Sequence, residues 1–137
     1  MRIAVVTVFP ESLSAVTDYG VSGRAVRDGL VSVTVVNPRV FTLVRHKSVD
    51  DRPYGGGPGM VMRPEPLAAA IGEARNLAGK QAPVIYLSPQ GKRFDDAQAR
   101  RLAELPGLIL LAGRYEGVDE RLIESEVDEE LSIGDYV

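Results

Sequence analysis

Three short stretches combine glycine with groups that can hold a small polar ligand: Ser88-Pro89-Gln90-Gly91, Gly113-Arg114-Tyr115-Glu116-Gly117 and Gly134-Asp135-Tyr136. Each follows an apolar run that reads as a strand. Glycine lets backbone approach a ligand closely and accepts positive φ, so such loops would bind through backbone N–H and C=O groups. Taken singly, each is a plain turn; if their strands are neighbours, the three share one pocket. A fourth stretch places His46, Asp50, Asp51, Arg52 and Tyr54 just before Gly55-Gly56-Gly57-Pro58-Gly59-Met60. Its charged groups could meet a polar substrate, although on spacing alone it reads first as a flexible surface loop. His46, between Arg45 and Lys47, is a general base by type, or a phosphate contact, or simply exposed.

Several chemistries are excluded. The chain has 137 residues and no cysteine, which removes disulfides, thiolate metal sites and a cysteine nucleophile. Its single histidine removes a multi-histidine metal site, while a hard cation held by carboxylates stays open. No GxGxxG follows the first apolar run and no GxxxxGK[ST] occurs, so a P-loop or a standard dinucleotide site is not expected. Nothing is long and apolar enough to span a membrane, and no signal peptide opens the chain; a cytoplasmic protein is expected. The net charge of −3 counts mildly against a nucleic-acid binder. Bases nevertheless cluster at Arg45 to Arg52 and at Lys92 to Arg101. On charge alone this is a solvated mixed surface, although a local basic face can hold phosphate.

The elements that must position these groups alternate. Arg2 to Val8, Val31 to Asn37, Pro83 to Leu87, Gly107 to Ala112 and Asp128 to Ile133 read as strands, several apolar throughout as buried parallel strands are. Pro10 opens a helix to about Tyr19, stopped by Gly20. A short helix follows, with Ser22 as cap and Gly29 as stop. Pro64 to Ala78, with Leu67, Ile71, Ala74 and Ala78 on one face, is a helix ended by Gly79. Asp95 caps another to Leu105, and Val118 to Glu126 is the last. Arg39 to Arg63 has no clean period. The alternation predicts one α/β domain, a parallel sheet with helices on both faces. Ligands of such sheets bind outside the carboxyl ends of the strands, where the three glycine loops fall.

Taken together, Val8-Phe9-Pro10-Glu11, Asn37-Pro38-Arg39, Arg45-His46, Val49 to Met62, Leu87 to Gly91, Ala112 to Arg121 and Ser132 to Val137 resemble the TrmD-type bacterial tRNA (guanine-N1)-methyltransferases. The likeness covers essentially the whole chain. It implies the SPOUT fold, an α/β sheet ending in a deep trefoil knot. It also implies a homodimer with active sites at the subunit interface, and methyl transfer from S-adenosylmethionine to N1 of the guanine just 3′ of the tRNA anticodon. Carried over by position, Tyr86, Leu87, Ser88, Pro89, Gly113, Tyr115, Gly117, Ile133, Gly134, Asp135, Tyr136 and Val137 should hold the cofactor. Glu116, Asp50 and His46 are the candidate catalytic side chains, Glu116 lying near the cofactor's methionine end with magnesium as an optional companion. Arg45, His46, Arg52, Gly55 and Gly59 should face tRNA.

The family's pattern continues past Val137 into the rest of the knot, an aspartate proposed as general base, a partner arginine and a tRNA-gripping domain. The expectation is therefore a catalytic part with an incomplete knot, inactive on its own. Guanine N1 carries a proton, so its methylation needs a base as well as alignment of methyl and nitrogen. An inactive module of the same family that dimerises or binds cofactor is the alternative. An oxidoreductase is a further class, against which the missing GxGxxG stands.

Overall fold

The computed structural model describes residues 1–136; Val137, a candidate cofactor contact, lies outside the described residues. Five strands form one parallel sheet: β1 (Arg2–Val6), β2 (Ser32–Val36), β5 (Val84–Arg93), β6 (Gly107–Ala112) and β7 (Glu129–Ser132), in the order β2-β1-β6-β5-β7. Two short strands, β3 (Asp50–Asp51) and β4 (Val61–Met62), pair antiparallel beside it.

The apolar runs are explained by the two faces. In β6, Ile109 and Leu111 join one core with Ala4, Val6, Val84 and Tyr86, while Leu108 and Leu110 face a second with Ile3, Ile85 and Leu87. A central parallel strand is covered on both sides, so the period-2 alternation vanishes from its sequence. Helix α3 (Pro64–Ala78) lays Leu67, Ala70, Ile71, Ala74 and Ala78 on the first face, and Leu122 of α5 (Glu120–Glu126) joins them. Leu102 of α4 (Asp96–Ala103) packs on the second face, beside an apolar groove of about 390 Å³.

The expected boundaries shift in places. Pro10 to Tyr19 is not one helix. A 3-10 turn at Pro10–Leu13 gives way to a single α turn, α1 (Ser14–Thr17). Ser12 and Ser14 donate their hydroxyls to the carbonyls of Phe9 and Glu11, bonds that compete with a regular helix. Gly20 does not end that helix; it begins α2 (Gly20–Arg27). Ser22 is not its cap, because its hydroxyl reaches back to the Val16 carbonyl at 2.6 Å and so closes the preceding turn. The aperiodic stretch holds two 3-10 turns, Pro38–Phe41 and Arg45–Lys47, and the small β3–β4 ladder. Asp95 caps α4 through Gln98 N–H at 2.9 Å, and α5 begins at Glu120 behind an Asp119 cap rather than at Val118.

Strand β5 is longer than its apolar run. Its pairing with β7 breaks after Leu87 and resumes at Lys92, both opposite Leu131. Ser88 to Gly91 therefore bulges out of a continuous strand instead of leaving its end. Gly91 makes this feasible: a Cβ there would lie 2.5 Å from the Glu130 carbonyl carbon and the Leu131 nitrogen. The start of the β5–β7 pair is fixed by Asp128, which accepts the Val84 N–H on its carboxylate at 2.7 Å and donates its own N–H to the Val84 carbonyl.

Ile109 is fully buried at the centre of the sheet. Truncating it to alanine should cost about 2–5 kcal/mol and the valine variant about 0.5–1.5 kcal/mol, read from urea unfolding midpoints. Equal small losses would mean that β6 is not the centre of the core.

Candidate functional site

Because β6, β5 and β7 are adjacent and parallel, the exits of β6 and β7 and the β5 bulge open on one edge of the sheet. Leu87 with Ser88 and Pro89 of the β5 bulge meet Leu131 and Ser132 of β7 and the following Ile133 around a cavity of about 220 Å³. The bulge is closed by Ser88, whose Oγ accepts the Gln90 N–H at 3.2 Å. Beyond it the chain folds back on itself: Ser132 Oγ donates to the Gly134 carbonyl at 3.1 Å, and the Tyr136 ring lies against Gly134. Ile133 and Tyr136 are largely exposed.

The Gly113–Gly117 loop stands on the other side of Tyr86. The buried Tyr86 ring comes so near Gly113 that a Cβ there would sit 2.9 Å from Cε2. The phenol also lies under Gly117. Tyr86 is thus a floor on which this loop rests. Burial, the first cause, and the charge of Glu130 hold its pKa above the ordinary 10.0, against an opposing hydrogen bond from the Val118 backbone. Two residues of the loop, Tyr115 (φ 60°) and Gly117 (φ 145°), take left-handed backbone. Arg114 places its guanidinium 4.6 Å from the centre of the Phe9 ring, which joins the exit of β1 to that of β6.

The glycine-rich segment is not free. Glu116 N–H donates to the Met60 carbonyl at 3.0 Å, and Met62 N–H to the Gly117 carbonyl at 2.9 Å. Gly59, at φ 81°, lies directly against the Glu116 side chain, in space that any Cβ would need. Nothing in the residue pattern tied this segment to the Gly113–Gly117 loop. The signal that could have found it was the apolar run Met60-Val61-Met62 straight after Gly59.

Of the other candidates, Asp50 is half-buried in β3, its carboxylate accepting from Ser48 Oγ at 3.1 Å. Arg45, His46 and Arg52 are exposed, as are Gly55 and Gly59. His46 and Lys47 hold left-handed φ of 70° and 51°, uncommon for residues with side chains. Asp119 accepts from the Arg121 backbone and guanidinium, at 2.8 Å for Nη2, and that hydrogen bonding keeps its carboxyl below the usual range. Among the described residues no three carboxylate or imidazole groups gather to hold a metal. Glu116 offers a single carboxylate, and magnesium is commonly held by one or two carboxylates with waters completing its octahedron.

Chemically, this edge offers backbone groups on glycine loops, a hydroxyl at Ser88, a carboxylate at Glu116 and a cation at Arg114. That set suits a small polar ligand held largely through backbone groups.

Two variants separate backbone strain and crowding from mere loop membership. Gly59→Ala should lower stability by about 1–3 kcal/mol, because it meets both an unfavourable φ and Glu116. Gly57→Ala, with its nearest neighbour at an ordinary 3.8 Å, should change it by less than about 0.5 kcal/mol. Denaturant titration of the pair checks this, and equal effects would contradict the packing described.

The raised Tyr86 pKa also sets a pH dependence. The neutral phenol is favoured in the fold, so its stabilisation is complete below pH 10.0 and is lost as pH climbs through the folded-state value. As pH climbs above 10.0, wild type should therefore lose more stability than Tyr86→Phe, which has no proton to release. Parallel losses in urea midpoint would show that Tyr86 does not contribute this term.

Comparison with known proteins places the chain in a family. The family model for tRNA (Guanine-1)-methyltransferase TrmD matches residues 1–137. The tRNA (guanine-N(1)-)-methyltransferase of Methylococcus capsulatus is 62% identical over 137 residues, which is 100% of this chain and 55% of that protein. The protein of the same name from Pseudomonas entomophila is 58% identical with the same coverage. The crystal structure of tRNA (m1G37) methyltransferase from Aquifex aeolicus superposes with a TM-score of 0.89 at 36% identity, over 100% of this chain and 61% of that one. The chain thus spans about half the length of the curated relatives it matches.

Proposed function

Since the chain belongs to the TrmD family of tRNA (guanine-1)-methyltransferases, we propose that its strand-exit loops hold S-adenosylmethionine for methylation of N1 of guanine 37 in tRNA, the position named for the Aquifex relative. The observation that carries this reading is a set of three glycine-bearing segments on one edge of the sheet, the loops after β6 and β7 and the bulge within β5. The Gly113–Gly117 loop rests on buried Tyr86, and the β5 bulge and the end of β7 line one small cavity.

The residues present fit the cofactor in kind. Gly113 leaves no volume for a side chain between the loop and Tyr86, so a ligand on this loop would meet backbone. The cavity lined by Leu87, Pro89, Leu131 and Ile133 offers apolar walls of the sort a nucleobase ring needs, with Ser88 as its polar member. When bound, the cofactor would supply an electrophilic methyl group on a sulfonium. The protein's part is alignment, the most direct contribution of a rigid site to such a transfer.

Glu116 stands at the far end of the Gly113–Gly117 loop, pressed against Gly59. We assign it to orienting the amino-acid tail of the cofactor, since an ammonium there would gain a charge-assisted hydrogen bond. Arg114, steadied over Phe9, and the exposed Arg45, His46 and Arg52 supply positive charge for the RNA backbone. His46 and Asp50 fit contacts to RNA better than proton transfer. Asp50 is engaged by Ser48, and His46 sits in an exposed turn. A homodimer, a trefoil knot and a cytoplasmic location fit the same reading. No helix among the described residues is long and apolar enough to cross a membrane.

Calorimetric titration with S-adenosylmethionine, with NAD as control, tests the assignment. Saturable binding of the first alone is expected, weakened roughly tenfold by Glu116→Gln, the loss of one charge-assisted hydrogen bond. Binding of NAD alone, or of neither, would overturn the placement of the cofactor on these loops.

A further inference from the structure

Met62 has no exposed surface, and a buried methionine is ordinarily filler for a core. Its contacts here are more specific. Its N–H donates to the Gly117 carbonyl at 2.9 Å, and its carbonyl accepts the Asp119 N–H at 3.2 Å, which makes a one-residue parallel bridge to Val118. Its sulfur accepts the backbone N–H of Arg114 at 3.2 Å. One residue therefore grips the Gly113–Gly117 loop at its start, its end and the residue that caps α5. On its other side, Met62 pairs with Asp50 across the β3–β4 ladder.

The loop so gripped does not hold its shape by local preference. Tyr115 is left-handed and Gly117 has a φ open chiefly to glycine. Backbone of that kind persists where surrounding contacts over-determine it. The backbone bonds from Met62 would survive any side chain. The sulfur contact would not: leucine fills a similar volume but accepts nothing.

We propose that Met62 is a positioning residue: its sulfur fixes the Arg114 end of the loop, and through the loop it fixes the cofactor. The proposal rests on the cofactor reading above. It distinguishes Met62 from the apolar side chains around it, which contribute burial alone.

The test compares Met62→Leu with Ile71→Val, a conservative change in the same core at a residue away from the loop, by amide hydrogen exchange and by titration with S-adenosylmethionine. In Met62→Leu the Arg114 amide should exchange about tenfold faster while amides of β6 stay protected. The dissociation constant should rise about three- to tenfold, a weak contact's worth. Ile71→Val should leave both readouts unchanged. Unaltered Arg114 exchange in a folded Met62→Leu protein would overturn the grip. Faster exchange with unaltered affinity would overturn its role in positioning. If wild type showed a protected Arg114 amide that Met62→Leu releases, yet bound no cofactor, the grip would stand and the cofactor reading would fall.

Discussion

Strand β6 lies between β1 and β5, with every residue from Gly107 to Leu111 paired to β1 and Ile109 to Ala112 paired to β5. Backbone groups in that position have no access to water, and side chains on both faces must be apolar. Leu108 to Leu111 meet the requirement, and the rest of the molecule is arranged around them. The cores on either side are built on them, α3 and α4 cover them, and Gly113 emerges one residue beyond their last ladder position. The placement of the loop that carries Arg114, Tyr115 and Glu116 follows from the closure of this sheet.

The site edge is then held by contacts among distant parts of the chain. Tyr86 supports the Gly113–Gly117 loop from below, while the Met60 and Met62 backbone stitches it from the side. The same segment presents Gly59 to Glu116. A stretch with the composition of a mobile linker is thereby made part of a fixed wall. This matters for alignment chemistry, since a small displacement of a bound reactant is costly in rate. It also links the surface carrying Asp50 and Arg52 to the loop beneath the proposed cofactor, through a ladder only two residues long.

Helices α3 and α4 and the centres of all five main strands were legible in the residues. Apolar period, proline at a first turn and glycine at a stop are local signals, and local sterics enforce them. The α1–α2 region was misread because its serine hydroxyls bond back to nearby carbonyls, which composition does not reveal. The full length of β5 was hidden because Lys92 and Arg93 look like loop residues; they pair because Leu131 and Ser132 stand opposite them.

The motif stretches by themselves determined the family, and with it the kind of fold and the candidate residues, since their order along the chain carries that information. Tertiary structure alone decided which of those residues are joined. Tyr86 beneath Gly113, Gly59 against Glu116 and the Met62 sulfur facing the Arg114 amide are separated by tens of positions along the chain. Such contacts depend on how strands and loops converge after the sheet has closed, and no periodicity or spacing encodes that convergence.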